Sequence, residues 1–282
     1  MGKVAIVTDS TSNIPQNLIE ELNITVAPQI VIWDNTTYLD GVDIQPAEFY
    51  TRLATSKSMP SSSQVTPERF KAIFQKLLDE GKEILVITIS SGLSGTMDSA
   101  IQAKALFPGK SIELVDSLNA SMALGFHVLM AARAAKNGAS LLECKSIAEE
   151  AREKSGVFFL VDTLDFLHRG GRIGGAAHLV GTAFNLKPIL TVKAGKVDSA
   201  AKVRTQKKAM EKMLDMVADQ VARGKSCRLS VLHANAASRA DEVMSELIQR
   251  FHPVETVFTE VSPVIGTHTG PGTVGVAFLL DM

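Results

Sequence analysis

The chain has 282 residues, of which 45% are hydrophobic and 21% are charged, and its formal net charge is −1. This composition is typical of a chain that folds into one large domain or two ordinary ones, and it argues against disorder. Lys and Arg are scattered along the chain, so we expect neither nucleic-acid binding nor stable membrane insertion.

The cysteines and histidines give no sign of a metal site. Cys144 and Cys227 lie far apart and outside any Cys-x-x-Cys pair, and the histidines include neither an i,i+4 pair nor an HExxH motif. We therefore expect reduced thiols and no metal. Because the N-terminal apolar run is too short for a signal peptide, we expect a cytoplasmic location.

Strand and helix patterns alternate through the first half of the chain. They predict a strand at 4–7, a helix from Pro15, a strand at 24–32 interrupted by Pro28, a helix from Pro67, a strand at 83–89, and helices near 95–106, 118–136 and 139–153. This alternation indicates parallel βαβ units and therefore an α/β sheet.

The second half has a different pattern. It predicts a strand at 157–162, a hairpin turning at Ala194 and Gly195, helices at 206–222 and 236–250, strands at 228–234 and 254–261, and a glycine-rich turn before a last strand. Such a mixture indicates a mixed sheet. We therefore predict two α/β domains, a mostly parallel N-terminal domain at residues 1–155 and a mixed C-terminal domain at residues 156–282.

The segment SSGLSGT, residues 90–96, follows a predicted strand and leads into a predicted helix. Ligands bind at the carboxyl ends of strands in α/β sheets, and helix N-termini favour anions. The segment lacks the G-x-S-x-G pattern of a serine nucleophile. Two interpretations stay open: a cradle for an anion, or a helix start capped by Ser91 or Ser94.

Four further segments carry polar groups that suit an anion: the hydroxyls and amide at 61–64, His268 within GTHTGPG, Arg172 in HRGGR and Arg204 in KVRT. A fifth segment, TDST, ends the first predicted strand, and its Asp9 suits a turn, a helix cap or a support beneath a ligand. Glycines near His268 allow close backbone approach to a ligand, and Arg binds phosphate and carboxylate bidentately. Each segment also has an ordinary structural interpretation as a polar loop, a turn or a surface charge.

Six segments in this order resemble the DegV family of bacterial fatty-acid-binding proteins. They are VTDST, SSGLSGT, DTLDFLHRGGRIG at 162–174, KPIL at 187–190, VRTQKKA at 203–209 and GTHTGPG at 266–272. The resemblance covers nearly the whole chain. It implies one long-chain fatty acid bound between two domains, no other cofactor and no catalytic activity. It also implies a partner, an ATP-dependent kinase subunit that converts the presented carboxylate to an acyl phosphate for phospholipid synthesis.

The resemblance also assigns roles to residues. It implies carboxylate contacts from Ser62, Ser94 and His268, and kinase docking by Arg172 and Arg204. We expect the neighbouring residues Ser63, Gly95, Thr96, Thr267, Thr269 and Asp9 to support the site. Two departures are Val65, where the family often has proline, and Met97, where it often has tyrosine; the second changes the expected pocket wall and so bears on the preferred acyl length.

The chemistry of such a site is physically reasonable. A buried carboxylate is costly unless it is hydrogen-bonded, and hydroxyls with one His can do this without a fixed positive charge. About fourteen buried methylenes contribute on the order of 11 kcal/mol before the costs of binding. Candidates for the tunnel lining are Met97, which follows SGT, and four residues of glycine- and alanine-rich segments: Met122, Phe126, Leu179 and Phe184.

Two other functions stay open on the sequence alone. One is a regulatory protein that binds a small anion or phosphate in its glycine-rich loops. The other, less favoured, is a serine esterase in which Ser94 and His268 act with Asp9 or Asp116.

Overall fold

The computed structural model describes residues 3–181 and 186–282. Its strands are β1 (Val4–Asp9), β2 (Thr25–Ala27), β3 (Ile30–Trp33), β4 (Thr36–Leu39), β5 (Ser61–Ser63), β6 (Glu83–Thr88), β7 (Ile112–Asp116), β8 (Ser155–Leu160), β9 (Lys187–Lys193), β10 (Lys196–Val203), β11 (Cys227–His233), β12 (Glu255–Glu260) and β13 (Val274–Leu280). Its helices are α1 (Gln16–Leu22), α2 (Pro46–Thr55), α3 (Pro67–Asp79), α4 (Thr96–Ala105), α5 (Ser121–Lys136), α6 (Leu141–Lys154), α7 (Asp165–Arg169), α8 (Gln206–Val221), α9 (Ala237–Phe251) and α10 (Pro263–Thr269).

A parallel sheet of order β2-β1-β6-β7 forms the centre of the N-terminal domain. The apolar run of β6 is buried on both faces. Ile84 and Val86 pack with Phe70 of α3, whereas Leu85 and Ile87 belong to the core cluster that includes α5. This two-sided burial explains why the strand has a continuous apolar pattern rather than an alternating one.

A mixed sheet of order β10-β9-β8-β13-β11-β12 forms the centre of the C-terminal domain. Its neighbouring strands are antiparallel except for β11 and β12, which are parallel. Helices α8 and α9 cover one face through residues such as Met213 and Leu247. The other face contributes Phe159 and Leu232 to the core cluster shared with α5. The prediction of an α/β fold with two domains is confirmed, and the boundary at 155 stays a prediction.

A small antiparallel sheet of order β4-β3-β5 corrects one prediction. The expected single strand at 24–32 is two strands in two different sheets, separated at Pro28. Proline has no N–H for a sheet hydrogen bond, so the chain leaves the parallel sheet there. In the small sheet Ser62 of β5 pairs with Val31 of β3, which fixes the position of the serine.

The segment GTHTGPG corrects a second prediction, because its first residues are helical. Helix α10 begins at Pro263 and ends at Thr269, and Gly270 follows with a φ of 73°. Proline is favoured at the first position of a helix, and glycine tolerates the positive φ that ends it. His268 therefore lies in the last turn of a helix rather than in a loop.

Candidate ligand-binding cavity

A cavity of about 200 Å³ is lined by residues from both halves of the chain. Its apolar lining consists of Ile89, Leu93, Ala120, Val157, Phe159, Leu167, Val192, Val197, Leu232, Val261, Val264 and Ile265. Its polar lining consists of Gln29, Ser62, Ser63, Gln64, Ser94, Gly95, Ser121, Arg172, His268, Thr269 and Thr273. A space that is mostly apolar and carries a few polar groups suits a ligand with a polar head and an apolar body.

Ser62 and His268 meet at this cavity, although they are 206 residues apart in the chain. The Oγ of Ser62 lies 2.6 Å from Nε2 of His268. The other ring nitrogen, Nδ1, is buried and has no hydrogen-bond partner among residues 3–181 and 186–282. It packs against Gly170, where a Cβ atom would overlap Nδ1, so the imidazole needs glycine at this position.

The imidazole of His268 is neutral at physiological pH. Burial lowers the pKa of His268 to about 4, and the positive charge of Arg172 acts in the same direction. A neutral imidazole has one N–H and one acceptor nitrogen. His268 therefore offers a hydrogen bond to a ligand rather than a full positive charge.

This conclusion gives a testable pH dependence. The ring signals of His268 in an NMR titration should stay those of a neutral imidazole from pH 8 down to pH 5, because its pKa is about 4. Protonation of His268 near pH 6.5, the ordinary histidine value, would contradict the buried geometry.

Ser94 lies at the cavity, close to the start of α4. Its Oγ is 2.9 Å from Oγ1 of Thr96 and accepts the Thr96 N–H at 3.3 Å. The residue at the cap position of α4 is Gly95, so neither Ser91 nor Ser94 is the cap that one interpretation of the sequence offered. The Ser94 hydroxyl thus lies beside the cavity, where it can contact a ligand.

Gln64 supplies the amide of the polar run at 61–64, and it lines the cavity. Its Nε2 donates to Ser99 Oγ at 2.9 Å, and its Oε1 packs so closely on Gly95 that a Cβ at position 95 would overlap it. The available signal was its place directly after Ser62 and Ser63 in the polar run before α3. Gln64 links that run to the SSGLSGT segment.

The expected supporting residues divide into two groups. Ser63, Gly95 and Thr269 line the cavity, whereas Thr96, Thr267 and Asp9 lie behind the lining. The buried Asp9 carboxylate accepts hydrogen bonds from the Ile89 backbone N–H at 2.8 Å and the Gln29 side chain at 3.1 Å. Both donors belong to lining residues, so Asp9 supports the cavity from behind.

The two arginines occupy different environments. Arg172 is half-buried at the cavity, where its Nε donates to the Leu93 carbonyl at 3.1 Å and its guanidinium donates to the Gly170 carbonyl at 2.8 Å. Arg172 is therefore more than an ordinary surface charge, and its expected role in kinase docking stays a prediction. Arg204 is exposed and lines a second, more polar cavity of about 280 Å³ together with Asp162, Asp165 and Lys187.

The expected tunnel lining differs from the lining in the structure. Met97, Met122, Phe126 and Leu179 are buried but do not line the cavity, and Phe184 falls outside the described residues. Five of the twelve apolar lining residues come from the sheet face that α8 and α9 leave uncovered, among them Val157 and Phe159, two positions apart on β8. Successive residues of a strand point to opposite faces, so such alternate residues share one wall.

Neither a metal centre nor a catalytic triad appears in the described part of the chain. No group of three or more His, Cys, Asp and Glu side chains is placed to hold a metal ion there. His268 is hydrogen-bonded to Ser62 rather than Ser94, and no carboxylate among these residues hydrogen-bonds its free nitrogen.

None of the described helices has both the length and the apolar character needed to cross a bilayer.

The family model described as "Uncharacterised protein, DegV family" matches residues 3–281. The chain belongs to the DegV family. A DegV domain-containing protein of Clostridium acetobutylicum is 37% identical to it, over 99% of this chain and 98% of the relative. The family resemblance of the sequence is thereby confirmed.

Solved structures of DegV proteins share this fold over their whole length. A DegV family protein from Thermus thermophilus, described by its fatty acid binding, has a TM-score of 0.94 at 36% identity and covers 99% of this chain and 100% of its own. DegV from Bacillus subtilis, described as a fatty acid binding protein, has a TM-score of 0.91 at 30% identity, with 100% coverage of both chains. A stearic acid-binding protein from Eubacterium ventriosum has a TM-score of 0.90 at 25% identity, covering 99% of this chain and 98% of its own.

Proposed function

We propose that this DegV protein binds one long-chain fatty acid in the cavity between its domains. The acyl chain lies against the apolar lining, and Ser62, Ser94 and His268 bind the carboxylate. The observation that carries the proposal is the contact of 2.6 Å between Ser62 and His268 at a mostly apolar cavity. The fatty-acid binding described for the DegV structures from Thermus thermophilus and Bacillus subtilis supports it.

The hydrogen-bond chemistry supports a carboxylate as the head group. With its proton on Nε2, the neutral His268 donates to Ser62 Oγ in the empty cavity or to a ligand oxygen in the complex, where the Ser62 hydroxyl donates to the same carboxylate. Ser94 adds a second hydroxyl donor at the same cavity. Arg172 contributes a nearby positive charge. These groups offset the cost of removing a carboxylate from water.

The other two functions receive less support. A serine esterase needs a base beside its nucleophile and a group that orients this base. Ser94 instead bonds to Thr96, and Nδ1 of His268 has no partner among the described residues. A small phosphate would leave the twelve apolar lining residues without a role. We therefore propose a carrier without catalytic activity, rather than an enzyme or a phosphate sensor.

The finer assignment follows the family resemblance. We propose that the carrier works in the cytoplasm without a cofactor and presents the carboxylate to an ATP-dependent kinase subunit. That subunit makes an acyl phosphate for phospholipid synthesis. Arg204, which is exposed, and Arg172 are the proposed contacts with the kinase. We also keep residues 1–155 and 156–282 as the proposed domains.

Calorimetric titration tests the binding proposal. A delipidated sample should bind palmitate with a stoichiometry near one per chain, and inorganic phosphate should give no binding heat. The reverse result, phosphate binding without palmitate binding, would support the regulatory anion-binding function instead.

Arg204→Ala should impair docking of the kinase without changing fatty-acid binding. Because the Arg204 side chain is exposed and away from the Ser62–His268 cavity, palmitate affinity should stay unchanged. Acyl-phosphate formation with the kinase should fall about tenfold or more, since an interface arginine can contribute well over 1 kcal/mol. The exposed Arg223 provides a matched control, Arg223→Ala. Loss of palmitate binding with intact kinase coupling would show that the docking role is wrong.

A further inference from the structure

The side chain of Asp40 joins two parts of the cavity wall, although Asp40 does not line the cavity itself. Asp40 directly follows β4 and is only 2% exposed. Its Oδ1 accepts the backbone N–H of Val264 at 3.2 Å. Pro263, the first residue of α10, has no N–H, and the cap residue Ser262 makes no side-chain cap hydrogen bond. Asp40 thus accepts a backbone N–H of the first turn of α10 that would otherwise lack a partner, a role that a local cap residue usually has.

The other contacts of Asp40 reach Gln29, which lines the cavity. The backbone N–H of Asp40 donates to the Gln29 carbonyl at 2.9 Å. Its Oδ2 accepts the Ser10 hydroxyl at 2.6 Å, and Ser10 Oγ accepts the Gln29 N–H at 3.1 Å. The part of the cavity lining formed by Gln29 is called the Gln29 wall below. The Asp40 side chain therefore connects the Gln29 wall with the start of α10.

Helix α10 is the element that such a connection would position. Within two turns it supplies Val264, Ile265, His268 and Thr269 to the cavity. A rotation or shift of its first turn would move His268 relative to Ser62. The distance of 2.6 Å between these two side chains leaves little tolerance for such a movement.

Burying an ionised carboxylate at this position costs free energy. No Lys, Arg or His within the described residues forms an ion pair with Asp40, and the acidic groups near it are Asp9, Tyr50 and, beyond Tyr50, Glu260. Burial raises the pKa of Asp40 to about 6, Asp9 adds to the increase, and the hydrogen bonds from Ser10 and Val264 oppose it. Stability alone does not explain an unpaired buried carboxylate, because a neutral side chain avoids this cost.

We propose that Asp40 is a positioning residue for the head-group site: it holds the start of α10 against the Gln29 wall and thereby sets His268 opposite Ser62. The inference rests on the proposed function for its ligand, a fatty acid. The placement of His268 that it describes exists without the ligand. The two claims can therefore fail separately.

Two substitutions at Asp40 test the proposal, because one keeps the hydrogen-bond acceptor for α10 and the other removes it. Asp40→Asn keeps an acceptor oxygen for the Val264 N–H, whereas Asp40→Ala removes it. Palmitate affinity should fall about tenfold or more in Asp40→Ala and stay within about threefold of the wild type in Asp40→Asn, since one lost hydrogen bond to a charged partner corresponds to roughly a factor of ten. Asp43→Ala is the matched control, because Asp43 is exposed and lies in the same segment, and its carboxylate accepts the N–H of Leu39 at 2.8 Å.

NMR of the histidine rings gives a readout that does not depend on the ligand. The His268 signals, assigned by their loss in His268→Gln, should shift in Asp40→Ala and keep their wild-type positions in Asp40→Asn and Asp43→Ala. A merely structural role would lower the melting temperature of Asp40→Ala without moving these signals. If Asp40→Ala fails to fold, Asp40→Ser, whose hydroxyl is too short to reach Val264, replaces it.

Two results would overturn the inference. One is a folded Asp40→Ala variant with wild-type His268 signals and wild-type palmitate affinity. The other is an Asp40→Asn variant that loses as much affinity as Asp40→Ala. A wild-type protein that binds no palmitate would contradict the proposed function, and the His268 signals would still decide the role of Asp40.

Discussion

Replacing His268 with Ala should weaken fatty-acid binding by about 10- to 100-fold, because a hydrogen bond to a charged group contributes about 1.5–3 kcal/mol. Ser62→Ala should have an effect of similar size, since the Ser62 hydroxyl lies 2.6 Å from His268 Nε2 and the two groups act on the same carboxylate. The double variant should lose less than the sum of the two single losses, as expected for groups that act together.

Equilibrium titration of delipidated protein with palmitate measures these losses. The exposed His168, which lies in the HRGGR segment, supplies the control variant His168→Ala. Circular dichroism should show the same fold in all variants, because Ser62 and His268 lie at the cavity and His168 is exposed, so no substitution removes a core side chain. Wild-type affinity in both His268→Ala and Ser62→Ala would show that the head group binds elsewhere.

A substitution that fills part of the cavity should cause the second large loss of fatty-acid affinity. Val197 of β10 is 5% exposed and lines the cavity, so Val197→Phe places extra carbon atoms where the acyl chain should lie. Excluding about three methylenes from the cavity, at about 0.8 kcal/mol each, should weaken palmitate binding about 50-fold. Decanoate, whose shorter chain leaves more of the cavity free, should lose much less.

The comparison of palmitate with decanoate distinguishes a blocked tail from a damaged head-group site. Val254→Phe provides the same chemical change at a side chain that is 63% exposed. It should leave both affinities unchanged. Equal losses for palmitate and decanoate in Val197→Phe would contradict the placement of the acyl chain along this wall.

Much of the fold follows from apolar patterns in the sequence, and the exceptions have identifiable causes. Strands such as β6 and long helices such as α5 have patterns that their burial explains. Strand β5 has the sequence Ser-Ser-Ser, which no pattern identifies as a strand, because it exists through its pairing with β3. Helix α10 carries a usable signal in Ser262 followed by Pro263, which the glycines after it obscured.

The site was harder to predict than the fold. Family motifs identified Ser62 and His268 as candidates, but only the tertiary structure brings together residues 206 positions apart. Local composition did not distinguish cavity-lining residues from core residues. Met122 and Phe126, two of the tunnel candidates, are large, buried and apolar but do not line the cavity. Asp40 carries no local signal, since its role depends on a contact with Val264 from the other end of the chain.

Mass spectrometry of the lipid extracted from the denatured protein tests the central claim most directly. After expression in an ordinary bacterial host, the wild-type protein should release about one C14–C18 fatty acid per chain, since a buried acyl chain gains about 0.8 kcal/mol per methylene. His268→Ala should release clearly less. A wild-type protein that is free of lipid, and that also fails to take up added palmitate, would contradict the account.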